Sequence, residues 1–157
     1  MQPNIDTKKQ IYEIYKLVFT SSFPNRKKHN LLRSAFSYEP WGWRVVGITK
    51  NAVIEYQKAE FKKPSGKLER HHHSQNFANI TNLMLQDSLL AFDEWWSLFW
   101  DNDETILVTK EEHRSNQYSP IFVIDPTKGL FANKDIGWKY SQREKDFLQN
   151  LIAEQKL

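Results

Sequence analysis

The chain has 157 residues, enough for one domain with a modest core, and its 39% hydrophobic and 14% aromatic content marks it as globular rather than disordered. It contains no cysteine, which excludes a disulfide framework and any cysteine-ligated zinc site and agrees with a reducing compartment. The formal charge of +3 is too mild to name a partner, so that question falls to the local distribution of charge.

The opening residues 1–6 are polar and show no signal peptide. Ile11, Ile14, Tyr15 and Val18 recur at helical spacing and predict an amphipathic helix over 6–19, stopped by Ser21-Ser22-Phe23-Pro24-Asn25. A short basic helix over 26–36 is expected to pack Leu31, Leu32 and Ala35 before Pro40 and Gly42 break the chain. Residues 43–48 read as a buried strand. Thr49 is placed to cap a helix over 50–61 that buries Ala52, Val53, Tyr56 and Ala59. Pro64-Ser65-Gly66 predicts a turn, and 67–72 a returning strand.

Residues 77–85 carry both loop and helix signals. The stretch 88–100 reads as a helix capped by Ser88, with Leu89, Phe92, Trp96, Phe99 and Trp100 on its buried side. The apolar run of this helix is interrupted by Asp93-Glu94 and is too short to cross a bilayer, so the chain is expected to be soluble and cytoplasmic. Its aromatics are read as core in preference to base-stacking groups. After an acidic turn at 101–104, residues 105–108 predict a strand. Thr109-Lys110-Glu111-Glu112 has the T-x-x-E form of a capping box and sets His113 about one turn into a helix, with Asn116 and Gln117 further along the same face. Residues 121–124 read as a strand, 125–129 as a turn, and Leu130-Phe131 as the return of a hairpin. Ser141-Gln142-Arg143-Glu144 is a second capping box, opening a last helix that buries Phe147, Leu148, Leu151 and Ile152.

The five histidines are not scattered: three are consecutive at 71–73, His113 sits on the capped helix, and only His29 stands apart. Lys58, Lys62, Lys63 and Lys67 run directly into the triplet, where a phosphate backbone would pass, and Arg26-Lys27-Lys28-His29 with Arg33 form a second basic cluster. An antiparallel strand pair against a helix would bring residues 73 and 113 together although they lie forty positions apart. Neutral imidazoles can hold a divalent cation and, with one left unligated, accept a proton near pH 7.

The segment His72-His73-Ser74-Gln75-Asn76-Phe77, followed by Ile106-Leu107-Val108-Thr109-Lys110-Glu111-Glu112-His113, resembles the HNH family of nucleases, whose site is the ββα-metal or His-Me finger. The resemblance implies an α+β fold in a single domain over 1–157. Its core would span 67–118, with a helical and strand region over 5–63 before it and a hairpin plus helix over 120–157 after it. It implies a metal-dependent DNA endonuclease of phage or mobile-element type, acting in homing, restriction or nicking. His72, His113 and Asn116 would be metal ligands, His73 the general base, and Arg114 or Arg70 a contact to the scissile phosphate. Lys62, Lys63, Lys67 and Arg70 would follow the DNA. One divalent cation is implied, Mg first, with Mn, Ni or Zn also compatible with imidazole and phosphate oxygens. Cleavage of both strands at a palindrome would call for a homodimer.

The chain departs from the family in several places. A capping box stands at Thr109 and Glu112 where many relatives have zinc-knuckle cysteines. The middle asparagine has Asn102 as its nearest counterpart, and Gln117 with Asn116 beside it stands where many relatives have a last histidine. In a regular strand His71 and His73 would share one face and His72 the other, so the pair 71/73 competes with the favoured 72/73. A non-catalytic nucleic-acid-binding module is the alternative. A hydrolase acting on another substrate ranks lower, since no H-E-x-x-H pattern is present.

Overall fold

A computed structural model describes residues 2–37, 39–73, 76–134 and 137–156. The elements run α1 (Ile5–Thr20), α2 (Asn25–Ser37), β1 (Arg44–Thr49), α3 (Lys50–Lys58), β2 (Leu68–His72), α4 (Phe77–Met84), α5 (Phe92–Asn102), β3 (Glu104–Thr109), α6 (Lys110–Ser115), β4 (Ile121–Val123), a 3-10 turn (Pro126–Lys128) and α7 (Gln142–Gln155). The class is mixed α+β. One four-stranded sheet has the order β2-β3-β1-β4, with β1 and β3 parallel and each outer strand antiparallel to its neighbour. Among the described residues no helix is long and apolar enough to cross a membrane.

Buried side chains form two clusters. One joins the sheet to α3, α7, residues 124–131 and Trp138 through Val45, Ile48, Val53, Tyr56, Leu107, Phe131 and Leu148. The other is helical: Ile11, Tyr15 and Val18 of α1, Leu32 and Phe36 of α2, Phe77, Ile80 and Met84 of α4, and Trp95, Trp96 and Phe99 of α5. The helices α4 and α5 are the long insertion between β2 and β3, so the helical cluster is built largely from the chain that separates the two histidine-bearing stretches. Phe36 stacks on Phe99 with ring centroids 3.9 Å apart, and Tyr15 stacks on Trp95 at 5.7 Å.

Several expectations change. Residues 77–84 are helical because Asn76 caps them, its side chain accepting from the Asn79 N–H at 2.9 Å. The next helix begins at Phe92 rather than at Ser88. The Tyr12 hydroxyl donates to the Leu90 carbonyl at 2.7 Å and the Leu90 N–H donates to the Tyr15 hydroxyl at 3.0 Å, which holds the preceding turn extended and leaves Leu89 exposed. In α1, Ile14 is exposed while Ile11, Tyr15 and Val18 are buried. The C-terminal hairpin is corrected. Residues 121–123 pair antiparallel with β1, and the Asp125 side chain accepts from the Thr127 N–H at 2.9 Å, winding Pro126–Lys128 into a 3-10 turn that sends Leu130 and Phe131 into the core. β1 accepts neighbours on both sides because Gly47 has no side chain: a Cβ there would stand 2.8 Å from Ile121 Cγ2 and 3.1 Å from Ile106 Cγ2.

Candidate functional site

β2, β3 and α6 form a hairpin followed by a helix. β3 runs into α6 without a loop, since Thr109 ends the strand and caps the helix. Its hydroxyl accepts from the Glu112 N–H at 3.2 Å while Glu112 Oε2 accepts from the Thr109 N–H at 2.9 Å. The Lys110 N–H donates to the Lys67 carbonyl at 3.1 Å, tying the first turn of α6 to the start of β2. His113, one turn in, therefore meets side chains on one face of β2.

That face carries Glu69 and His71. Glu69 Oε2 lies 2.5 Å from His113 Nδ1, and the His71 and His113 rings meet edge to face with centroids 4.9 Å apart. A carboxylate only accepts, so Nδ1 of His113 is the donor in this bond and Nε2 is the nitrogen left outside it. His71 also packs on Tyr118 at 5.4 Å, and the Tyr118 hydroxyl donates to Asn116 Oδ1 at 2.7 Å. Asn116 ends α6 in the left-handed conformation at φ 54°, which asparagine tolerates well. Partial burial, with the charges of His113 and His73 adding to it, holds the His71 imidazole below the ordinary histidine value. His71 is thus a neutral donor at pH 7.

The opposite face of β2 is structural. Arg70 donates to the Trp43 carbonyl at 3.2 Å, to Asn133 Oδ1 at 2.7 Å and to the Gly137 carbonyl, between the rings of Trp43 and Trp138. Burial lowers its guanidinium to about 10. His72 lies against Trp43 with centroids 4.9 Å apart, its Nδ1 buried and without a partner among the described residues. Burial, then the neighbouring charges of His71, Arg33 and Arg70, pushes it down to about 4. Beneath them Asp103, fully buried, accepts from the Trp43 N–H at 2.6 Å, and burial pushes its carboxyl up to about 7.

Of the two registers open in the sequence, the strand runs through His72, and it is His71 that reaches His113. His73 follows the strand end. It is exposed, and its N–H donates to the Glu104 carbonyl at 2.9 Å, continuing the ladder one residue and returning it to the side of His71. Asn116 joins the cluster through Tyr118. Arg114 lies on another flank of α6, in a groove with Lys67. Lys62 is exposed and 3.6 Å from Glu60, and the Lys63 amine donates to the Trp138 carbonyl at 2.7 Å. Asn102 donates to the Leu98 carbonyl at 2.9 Å within α5, apart from the histidines. Ser74 and Gln75 of the motif lie outside the described residues. Glu69 and Tyr118 were not expected at the site. The alternation Glu69, His71, His73 along a strand could have indicated the first, whereas nothing in the pattern marks Tyr118.

The other edge of β2 pairs with no strand among the described residues and borders a cleft of about 710 Å³. Glu69 and His113 line it from one side of the strand, Trp43 and Arg70 from the other, with Asn30, Arg33 and Ser34 of α2 and Lys134 across from them. Arg33, Arg70 and Lys134 outnumber the one carboxylate, Glu69, which suits an anionic ligand. Among the described residues no group of three or more His, Asp or Glu side chains is disposed to hold a metal ion. The donors present are two adjacent imidazoles, one of them oriented by a carboxylate. They could serve a divalent cation as two protein ligands, the rest of its shell being filled from outside the protein. Comparison of the chain with family models, curated proteins and solved structures returned no match.

Proposed function

We propose that the chain is a metal-dependent DNA endonuclease of the ββα-metal type, hydrolysing phosphodiester bonds at the His71–His113 pair. The observation that carries this reading is the meeting of these two rings at 4.9 Å on a β2–β3–α6 unit, forty-two positions apart in the chain, beside a cation-lined cleft.

In this reading His71 and His113 are the ligands, and Glu69, bonded to Nδ1 of His113, leaves Nε2 as the nitrogen that would meet the cation. Asn116, held by Tyr118, stands at the margin of the same cluster. His73, one residue beyond the strand and open to solvent, takes the proton from the attacking water as its oxygen bonds to phosphorus and the ester oxygen departs. A bound divalent cation would offset the charge that builds on the phosphate and the leaving oxygen. Arg33 and Lys134 attract the polyanion to the cleft. Arg70 and His72 keep β2 in place from its other face.

Supercoiled plasmid incubated with the protein in Mg, Mn or EDTA tests the reading. Relaxed or linear product with Mg or Mn and none with EDTA is expected, together with a His73→Ala protein that binds DNA but does not cut it. Binding without cleavage under every metal would leave a nucleic-acid-binding module instead.

A further inference from the structure

A second concave surface lies on the flank of α6 away from His113. α3 and α6 leave the parallel strands β1 and β3 side by side. Between them, closed at one end by the turn before β2, runs a groove of about 870 Å³. Its walls carry Lys58, Lys67, Lys110 and Arg114 against Glu55 and Glu111. Lys58 is engaged by Glu55 at 2.8 Å. The side chains of Lys67, Lys110 and Arg114 have no hydrogen-bond or ion-pair partner among the described residues. The Lys110 amine reaches back over the turn, 3.9 Å from where a Cβ would stand at Gly66, and so lies beside Lys67. Three cations without partners thus share one concavity with Glu111 as the one carboxylate not already engaged, an excess of positive charge that an anionic ligand would offset.

We infer that this groove binds the phosphate backbone of duplex DNA, so that the substrate is gripped on both flanks of α6: at the β2 edge where it is cut, and between α3 and α6 where it is only held. The inference rests on the nuclease reading for the identity of the polymer. A polymer suits the groove better than a small free anion. The cations are long, partly solvated side chains spread along an open channel, with no buried donor to replace a small anion's water. A polyelectrolyte instead gains from the counterions released at each contact. Arg114 accordingly acts as a backbone contact, remote from the scissile phosphate.

The test is a fluorescence-anisotropy titration of a labelled duplex in EDTA across a range of salt concentrations, which reads binding without cleavage. The triple variant Lys67→Ala/Lys110→Ala/Arg114→Ala is compared with Lys9→Ala/Lys128→Ala/Lys156→Ala, an equal loss of charge at exposed sites elsewhere. The groove variant should lower the slope of log K against log salt by about 3, from roughly 0.9 per phosphate contact, and weaken binding at least tenfold at moderate salt. The control should keep the wild-type slope. Equal losses in both variants, no loss in the groove variant, or no duplex binding by the wild type would overturn the inference. So would pyrophosphate or an acidic peptide competing as well as duplex. If the wild type cuts plasmid while the groove variant binds like it, the groove fails and the nuclease stands; if the groove variant loses binding but the wild type never cuts, the reverse holds.

Discussion

Glu112 is the residue on which the position of His113 most depends, and replacing it by glutamine should unsettle the protein measurably. Its carboxylate is buried and takes six donors. Oε2 accepts from the Thr49 hydroxyl at 2.8 Å, the Thr109 N–H at 2.9 Å and the Thr109 hydroxyl at 3.1 Å. Oε1 accepts from the Ser119 hydroxyl at 2.6 Å, the Ser119 N–H at 3.0 Å and Asn51 Nδ2 at 3.1 Å. Thr49 and Thr109 end the two parallel strands and cap α3 and α6, so one side chain joins both strand-to-helix junctions. In Glu112→Gln one oxygen becomes an NH2 that cannot accept. The amide will turn this group toward Ser119 and Asn51, which are partly exposed and can recruit water. Three charge-assisted bonds, discounted for that replacement, amount to about 3 kcal/mol. For a chain of this length that is a fall in Tm of roughly 6–12 °C.

Urea unfolding followed by circular dichroism reads this loss directly. The acid limb adds a second check. Burial alone would raise the Glu112 carboxyl, but the bonds from Ser119, Thr109 and Thr49 outweigh it and hold it below the usual glutamate value. Its stabilisation is therefore complete above the unfolded value and is lost as pH falls through the folded one, and the glutamine variant should lack that loss. A Glu112→Gln protein within about 1 kcal/mol of wild type at pH 7 would refute the idea that this carboxylate clamps the two junctions.

Three further outcomes are expected. Glu69→Gln should weaken the apparent metal affinity of cleavage by roughly 10–100-fold while leaving duplex binding in EDTA no weaker than wild type, since Glu69 acts on the metal through His113 and its own charge in the cleft only repels the polyanion. His72→Phe should keep the contact with Trp43 and remove an acid-labile group. His72 is held down to about 4, so it favours folding above its ordinary 6.5 and that contribution is lost as pH falls toward 4; the variant should lose less stability over this window in urea titrations. Asp103→Asn should act in the opposite direction. The Asp103 carboxyl is raised to about 7, so the stability of its neutral form is complete below its ordinary 3.8 and is lost as pH rises through 7; the asparagine variant should not show that loss.

The parts of the fold readable in the sequence are those in which a local chemical signal and a periodic pattern coincide. Thr49 and Thr109 follow apolar runs and precede helical spacing, and both cap as expected, as does the box opening at Ser141. Where the deciding contact comes from far away, the pattern misleads. Ser88 is a good cap in isolation, but Tyr12 and Tyr15, more than seventy positions earlier, take the Leu90 backbone and move the helix start to Phe92. The 121–131 segment has the composition of a hairpin, yet Gly47 opens the edge of β1 and captures Ile121–Val123. At the site the meeting of the triplet with His113 followed from the order strand, insertion, strand, helix. Which imidazole faces His113 depended on where β2 ends, and that is decided by its pairing with β3 as far as His72 opposite Thr105. Arg70 reads as a free cation in sequence. Only the fold shows it enclosed by Trp43, Asn133 and Gly137.

The most direct measurement is plasmid cleavage with Mg or Mn by His71→Ala, His72→Phe and His113→Ala, each confirmed folded by circular dichroism. Loss of cutting by at least about 100-fold at His71 and His113, with near wild-type cutting at His72, is the expected result. Full activity after removal of His71, or abolition at His72 alone, would contradict the account.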